Sequence, residues 1–470
     1  MTACDHPTAR TEPSPGPVPA PEQTASGNRW AVLAVLCAGL FLGGMDLTVL
    51  QVAVPSILAD LRPGRAALLW TVDAYPLTVA ALLVTCGTLA DRYGRRRLLL
   101  AGLGLFAAAS ALAAYAPSPG ALIAARVLLG AAMAMIMSCT VALIRALFPD
   151  ARERTLALGV WTAAHSAGAT LGPLLGGLLV QHWHWGAVFL VNVPVTAVAL
   201  AAGARLVPES RSPLPRRWDA AGALLSASGL AAVVYALKHP GGVAGGDPAP
   251  IAAGLAGALL LCAFVRRQRR AAQPLLDLKL LAERRIATAL GCILTGFGSH
   301  IALLFFLTLW LQRSAGRSPL EAGLALMPLA AASAAGAVAA PWCARRFGAR
   351  RALPAAMLLL GCALAPVGPA AAAGGYPALV ACLLVSGTAA GAVMTLGADA
   401  VMGAAGPERA GEAAALQETS FELGAGLCVA ALGTAAHTLT AFGVLAASVL
   451  LPTAAATAYL TRARLTRARR

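Results

Sequence analysis

The sequence predicts an all-α integral membrane protein. Fourteen transmembrane helices form two six-helix bundles related by an internal repeat, with two linker helices between them. Three observations lead there. Of the 470 residues, 59% are hydrophobic and 12% charged, whereas an ordinary soluble domain is about 45–50% apolar and about 25% charged. The charges lie mostly in short segments between apolar runs, and about 20 apolar residues suffice to cross a bilayer. One glycine- and arginine-rich turn occurs twice, at corresponding places in the two halves.

The charges also set an orientation. A net charge of +16 suggests nucleic acid as a partner, but the placement excludes it. Of 36 Lys and Arg residues, 30 fall in alternate loops and tails on one side, at Arg29, Arg92, Arg145, Arg205, Arg266, Arg345, Arg409, Arg462 and their neighbours. The opposite loops hold five, Arg62, Arg65, Lys238, Arg313 and Arg317, and Arg126 falls inside a span. By the positive-inside rule both termini are cytoplasmic and the chain is a multi-pass protein of the cytoplasmic membrane. Of the ten cysteines, nine lie in or beside apolar runs and none forms a CxxC pair, so they read as small core residues. Residues 1–29 are rich in Pro, Thr, Ser and Ala and lack an apolar core; they read as a disordered cytoplasmic tail.

The predicted spans run, in order, Trp30–Val49, Trp70–Leu89, Leu98–Ala116, Ala121–Leu143, Leu156–Val180, Ala187–Leu206, Ala220–Leu237, Ile251–Val265, Ile286–Leu311, Ala322–Ala340, Ala352–Ala370, Pro377–Met394, Ala413–Ala435 and Ala441–Leu460. Glycine and proline are frequent within them, which membrane helices tolerate because neighbours re-satisfy freed backbone groups. The repeat is Ala90-Asp-Arg-Tyr-Gly-Arg-Arg-Arg97 against Ala344-Arg-Arg-Phe-Gly-Ala-Arg-Arg351, each after the second span of a block. The chain therefore divides into a tail (1–29), a first bundle (30–206), two linker helices with loops (207–285), a second bundle (286–461) and a basic cytoplasmic tail (462–470). Parallel repeats with a site at their interface near mid-membrane are a transporter design.

Four motifs in order carry a family resemblance: Met45-Asp-Leu-Thr-Val-Leu-Gln-Val-Ala-Val-Pro55, Gly87 to Arg97, Leu122-Ile-Ala-Ala-Arg-Val-Leu-Leu-Gly130, and Gly168-Ala-Thr-Leu-Gly-Pro-Leu-Leu-Gly-Gly177. The chain resembles the major facilitator superfamily, and within it the fourteen-helix drug:proton antiporters, which include quaternary-ammonium multidrug exporters and actinomycete antibiotic exporters. Trp70-Thr-Val-Asp-Ala-Tyr75 is similar to the quaternary-ammonium exporters. The resemblance implies export of lipophilic, cationic drugs or antibiotics, coupled to the proton motive force with no cofactor, by a monomer in a lipid bilayer. A dedicated exporter of one self-made antibiotic is the alternative. In the second copy of the turn, Arg345 stands where the first has Asp91, and Pro341 where it has Gly87. The link between the last two spans, near His437, is short compared with many relatives.

The residues themselves point to charge movement. A carboxylate at the centre of a membrane helix costs about 2.5–3.5 kcal/mol on insertion scales and is functional by default. Asp46, placed in the outer half of the first span, is a proton-binding candidate, or else a carboxylate permanently paired to an arginine. Arg126 is its natural partner, for coupling or for a structural ion pair. Asp73 with Trp70 and Tyr75 suits a lipophilic cation through charge pairing and cation–π contact, although tryptophan and tyrosine also collect at membrane interfaces. Glu418 and Glu422, four apart, share a helix face and read as acids for proton exchange or for a divalent cation. Glu418 has solvation at the cytoplasmic mouth as its plain explanation.

Gly87, Asp91, Arg92, Gly94, Arg95 and Arg96 read as a gating loop that latches one state by ion pairs; plain topogenic charge would not require Asp91. Gly168, Gly172, Pro173, Gly176 and Gly177 read as the antiporter helix motif, forming a tight contact or hinge. His165 and His300 read as packing residues. His182 and His184 flank Trp183 without a third metal ligand. Asp399 and Glu321 read as solvated helix-end acids and Asp219 as an N-cap. No metal or paired acid/His constellation supports an enzyme, and no GxxxxGK[ST] loop supports an ATP-driven pump.

Overall fold

A computed structural model of the chain describes residues 29–211, 219–239, 248–271, 278–373, 376–405 and 409–432. The predicted fourteenth span, the end of the thirteenth and both tails lie outside the described residues. Within them, sixteen helical segments follow one another: α1 (Arg29–Asp60), α2 (Arg65–Tyr93), α3 (Arg95–Ala114), α4 (Pro119–Leu147), α5 (Ala151–His182), α6 (Ala187–Leu190), α7 (Asn192–Leu206), α8 (Ala220–Lys238), α9 (Ala249–Arg270), α10 (Leu278–Ala282), α11 (Arg284–Arg313), α12 (Pro319–Phe347), α13 (Ala349–Leu364), α14 (Val367–Ala372), α15 (Tyr376–Ala405) and α16 (Ala410–Leu432). Twelve spans among the described residues are long and apolar enough to cross a membrane, α6 with α7 and α13 with α14 each making one. The acid-bearing α16 adds a further long helix outside that set.

Helices overrun the predicted spans because apolar length fixes only the minimum, whereas backbone hydrogen bonding continues to the next breaker. α1 runs on through Pro55 to Asp60. It stops at Arg62, which adopts φ 45° before Pro63 and Gly64. Capping residues fix other starts. Ser118 and Asp150 cap α4 and α5, and Ser318 with Glu321 forms a reciprocal capping box on α12. Glu321 is thus a cap. Asp219 caps α8 by accepting from Gly222 N at 2.9 Å. It also accepts from Arg267 Nε at 2.8 Å, tying α8 to α9, and that hydrogen bond holds its carboxyl below the usual carboxylate range.

The packing reproduces the sequence repeat. In the first half α1 packs on α5, and α4 on α2 and α3; in the second half α11 packs on α16, and α15 on α12 and α13. The halves exchange equivalent faces: α5 packs on α12, and α2 on α16. The two repeated turns match in backbone as well. Gly94 links α2 to α3 at φ 109°, and Gly348 links α12 to α13 at φ 87°, a region that favours glycine. The linker helices α8 and α9 pack on each other, and α8 also touches α2 and α16, one helix from each half.

Small residues permit these approaches. Gly168 and Gly172 of α5 sit so close to α1 that a Cβ would strike the Phe41 carbonyl and the Thr48 hydroxyl. Thr48 Oγ1 donates to the Ala169 carbonyl at 3.0 Å across the same seam. Gly177, one turn on, faces Pro319 and Leu320 of α12, while Gly323 of α12 meets the Pro173 carbonyl. These contacts between halves lie at the helix ends remote from the arginine-rich loops. Gln312 Nε2 of α11 donates to Val52 O of α1 at 2.9 Å toward the same end. We expect Gly172→Val to destabilise the fold by about 1–3 kcal/mol, the range for overpacking a filled site. Thermal unfolding of purified protein at an unchanged temperature would contradict this close approach.

Candidate functional site

The centre of the first bundle holds a buried charge pair. Asp46 of α1 and Arg126 of α4 form an ion pair through Oδ2 and Nη1, with side chains 0% and 1% exposed. Helix spacing places both on inward faces, and neighbouring elements complete the pair. Arg126 Nε donates to the Thr71 carbonyl of α2 at 3.2 Å. The guanidinium carbon lies 4.6 Å from the Tyr75 ring centroid and 6.0 Å from that of Phe189. Tyr75 Oη donates to Gly43 O at 3.3 Å. Asn192, at the start of α7, donates to Asp46 Oδ1 at 3.5 Å and to Ser110 Oγ at 3.4 Å. A fixed guanidinium, a carboxylate, an amide and a phenol thus converge from four helices.

A second pair lies beside it. Asp73 Oδ2 is 3.1 Å from Lys238 Nζ, the last residue of α8, and both side chains are 0% exposed. The Lys238 ammonium also stands 3.9 Å from the Trp70 ring centroid. This corrects the sequence reading, which assigned Lys238 to an outer loop. It also changes the reading of Trp70, which makes its cation contact with an internal lysine. Trp70 itself packs, with Leu423 and Leu427, against an apolar cluster of Leu77, Val234 and Ala430.

The second bundle contributes an acid from α16. Glu422 is buried, lies within electrostatic range of Arg126 and Tyr75, and its Oε2 has no hydrogen-bond partner among the described residues. Glu418, one turn earlier, is half-buried. The structure therefore brings Asp46, Arg126, Tyr75 and Glu422 together, with the Asp73 pair adjoining through α2.

The gating-loop residues find partners within the first bundle. Asp91 pairs with Arg95 at 3.0 Å. Arg95 N donates to Ser210 O at 2.9 Å, Arg96 donates to the Ala204 carbonyl, and Arg97 lies 3.6 Å from Glu209. A Cβ on Gly94 would meet the Glu209 carboxylate. Arg92 lies over the ring of its neighbour Tyr93, and Gly87 borders open space. The contacts observed for this loop join it to the end of α7 in the same bundle rather than across to the other half.

The remaining candidates are placed as follows. His165 Nδ1 lies 3.4 Å from Leu40 O, and His182 Nδ1 lies 3.0 Å from Leu178 O. His184 Nε2 is 3.1 Å from Asp60 Oδ2, which also accepts from Trp185 Nε1 at 2.7 Å. His300 Nδ1 has no partner among the described residues, and Asp399 is exposed. Among the described residues, no group of three His, Cys, Asp or Glu side chains is placed to hold a metal ion. Sequence reasoning missed Lys238, Asn192, Ser110 and Glu209. A lone amide or lysine inside an apolar run was the available signal for the first two.

Comparison with known proteins agrees with this architecture. A family model for the Major Facilitator Superfamily matches residues 36–429. The chain belongs to this superfamily. Its similarity to the multidrug efflux pump LfrA of Mycolicibacterium smegmatis is 40% identity over 88% of this chain and 82% of that protein. It is 34% identical to the methyl viologen resistance protein SmvA of Salmonella typhimurium over 86% of this chain and 82% of that one. With the tetracenomycin C resistance and export protein of Streptomyces glaucescens it shares 31% identity, over 90% of this chain and 78% of that protein. The Major Facilitator Superfamily assignment and the apolar helices make this a multi-pass membrane protein of a transporter family.

Removing Arg126 alone leaves Asp46 buried and unpaired, which costs about 3–5 kcal/mol. Arg126→Ala should therefore melt far below the wild type, and adding Asp46→Asn should recover most of the loss. Equal melting of wild type and Arg126→Ala would show that the pair carries no such weight.

Proposed function

We propose that this protein is a proton-coupled exporter of lipophilic, cationic drugs or antibiotics, working by alternating access between two six-helix bundles. One observation carries the coupling. Of the three acids buried among the described residues, Asp46 is held by Arg126 and Asp73 by Lys238, while Glu422 Oε2 has no partner among those residues. A buried acid without a fixed counter-ion is the one free to trade a proton for a cation. Glu422 is accordingly the exchanging acid, with half-buried Glu418 on its route toward the basic end. Asp46 and Arg126 sense the exchange through the same electrostatic cluster.

Several observations support the wider scheme. The relatives are named for multidrug efflux, for resistance to methyl viologen (an aromatic dication) and for export of tetracenomycin C. The last of these keeps the alternative of a single-antibiotic exporter in play. With the arginine-rich loops cytoplasmic, the contacts of Gly177, Gly323 and Gln312 between halves lie toward the outer ends, which supports a state closed outward. The scheme has fourteen spans, cytoplasmic termini, a monomer in the cytoplasmic membrane, and the proton motive force in place of a cofactor. A ligand shifts such a two-state system only by binding one state better. Proton and cation do so in opposite directions at Glu422.

The test uses inverted membrane vesicles carrying a pH gradient. Several unrelated lipophilic cations should each release protons from wild-type vesicles, and Glu422→Gln should abolish the release while the protein remains folded. Release by one natural product alone would select the dedicated exporter. Normal proton release by Glu422→Gln would remove Glu422 from the coupling step.

A further inference from the structure

The linker helix α8 takes part in the cation site. Trp70 and Asp73, three residues apart on α2, share a face. Together they offer a negative charge and an aromatic face, the two components that recognise a desolvated organic cation. That position is filled by this chain's own Lys238, 3.1 Å from the carboxylate and 3.9 Å from the ring centroid. We propose that Lys238 is a tethered surrogate for the cationic group of the transported molecule. An incoming lipophilic monocation displaces its ammonium from Asp73 and Trp70 and thereby frees the end of α8. This deepens, and rests on, the reading of the protein as an exporter of lipophilic cations.

Three features distinguish a displaceable occupant from a structural strap. The ammonium has three donors, yet Nζ and both Asp73 oxygens lack a hydrogen-bond partner meeting full geometry among the described residues. The pair is a single ion contact at 3.1 Å with both side chains out of reach of solvent, the costly kind of burial. Lys238 is also the terminal residue of α8, and its flexible four-carbon stem ends in a compact charge that can withdraw. Finally, Trp70 packs with Leu423 and Leu427 against the apolar cluster of Leu77, Val234 and Ala430, and such carbon beside the ring suits an organic cation better than water. Two monocations cannot share one carboxylate at low dielectric cost, since Arg126 already acts on Asp73 as well. Entry of a substrate cation therefore requires departure of Lys238. Because α8 touches α2 from one bundle and α16 from the other, that departure is felt by both halves.

The test is equilibrium binding of tetraphenylphosphonium to purified full-length protein, with thermal melting as the check on folding. Lys238→Gln removes the competitor and keeps the acid, so affinity should rise about tenfold or more; Asp73→Asn keeps the ammonium and removes the acid, so affinity should fall by about tenfold or more. Folded Lys238→Gln protein with unchanged or weaker binding overturns the proposal. If Lys238→Gln does not fold, the charge-neutral double variant decides. Asp73→Asn/Lys238→Gln should bind about fivefold tighter than Asp73→Asn alone because the repelling ammonium is gone, and equal binding overturns the surrogate role. Failure of the export reading looks different: wild-type protein then neither binds nor transports tetraphenylphosphonium or any other lipophilic cation. Wild-type transport with equal affinities in wild type and Lys238→Gln sinks the surrogate alone.

Discussion

Removing one partner of a buried ion pair costs about 3–5 kcal/mol, and that constraint organises the first bundle. Asp46 sits on α1 at a depth where water cannot serve it, so α4 supplies Arg126. The guanidinium in turn needs acceptors and a polarisable surround. Thr71 gives a carbonyl, while Tyr75 and Phe189 give ring faces. Asn192 closes the other side of the carboxylate. Each contribution fixes the rotation of a different helix, so one acid dictates how five helical segments present themselves to a common centre.

The stripe of small residues on α5 serves two seams at once. Gly168 and Gly172 bring α1 to backbone distance, and Gly177 with the Pro173 carbonyl brings α12 of the other half equally close. A motif that packs within one bundle and against the next transmits the position of α1, and hence of Asp46, to the bundle interface. The second half repeats the arrangement where Gly424 of α16 meets the Leu294 carbonyl of α11.

Much of this was legible in the sequence. The doubled turn foretold the matched conformations of Gly94 and Gly348, and charge asymmetry separated spans from loops. Asp46 and Arg126 were expected to meet because each alone would be untenable in hydrocarbon. Lys238 was misread because it lies at the very end of an apolar run, where a span boundary is uncertain by a few residues and where a lysine ordinarily reaches solvent. Only the packing of α8 on α2 turns it inward. The gating loop's partners were not legible. Asp91 and the arginines after it predict ion pairs, but Glu209 and Ser210 are distant in sequence and follow α7 without a motif to mark them. The overrun of α1 past Val49 was hidden for a different reason: Pro55 suggests an end, yet a neighbouring helix can absorb the lost hydrogen bond.

The three interfacial acids divide by the kind of cation that faces them. A guanidinium is charged at every relevant pH, so Asp46 has a permanent partner and is suited to sensing rather than to exchange. An amine on a flexible stem is a conditional partner, able to withdraw or to change charge, and it leaves Asp73 available to a competitor of the same sign. Glu422 Oε2 meets no partner among the described residues, so in the proposed scheme it answers to what enters the interface, a proton or a substrate. Ordered this way, the site contains a fixed charge, a displaceable charge and an open acid, contributed by the first bundle, the linker helix and the second bundle respectively. In the proposed scheme, exchange at the open acid alters the field on Arg126 and Tyr75, and displacement at Asp73 loosens a helix that both bundles touch. On that proposal the linker helix is more than a spacer between repeats, because it supplies a cation that can leave.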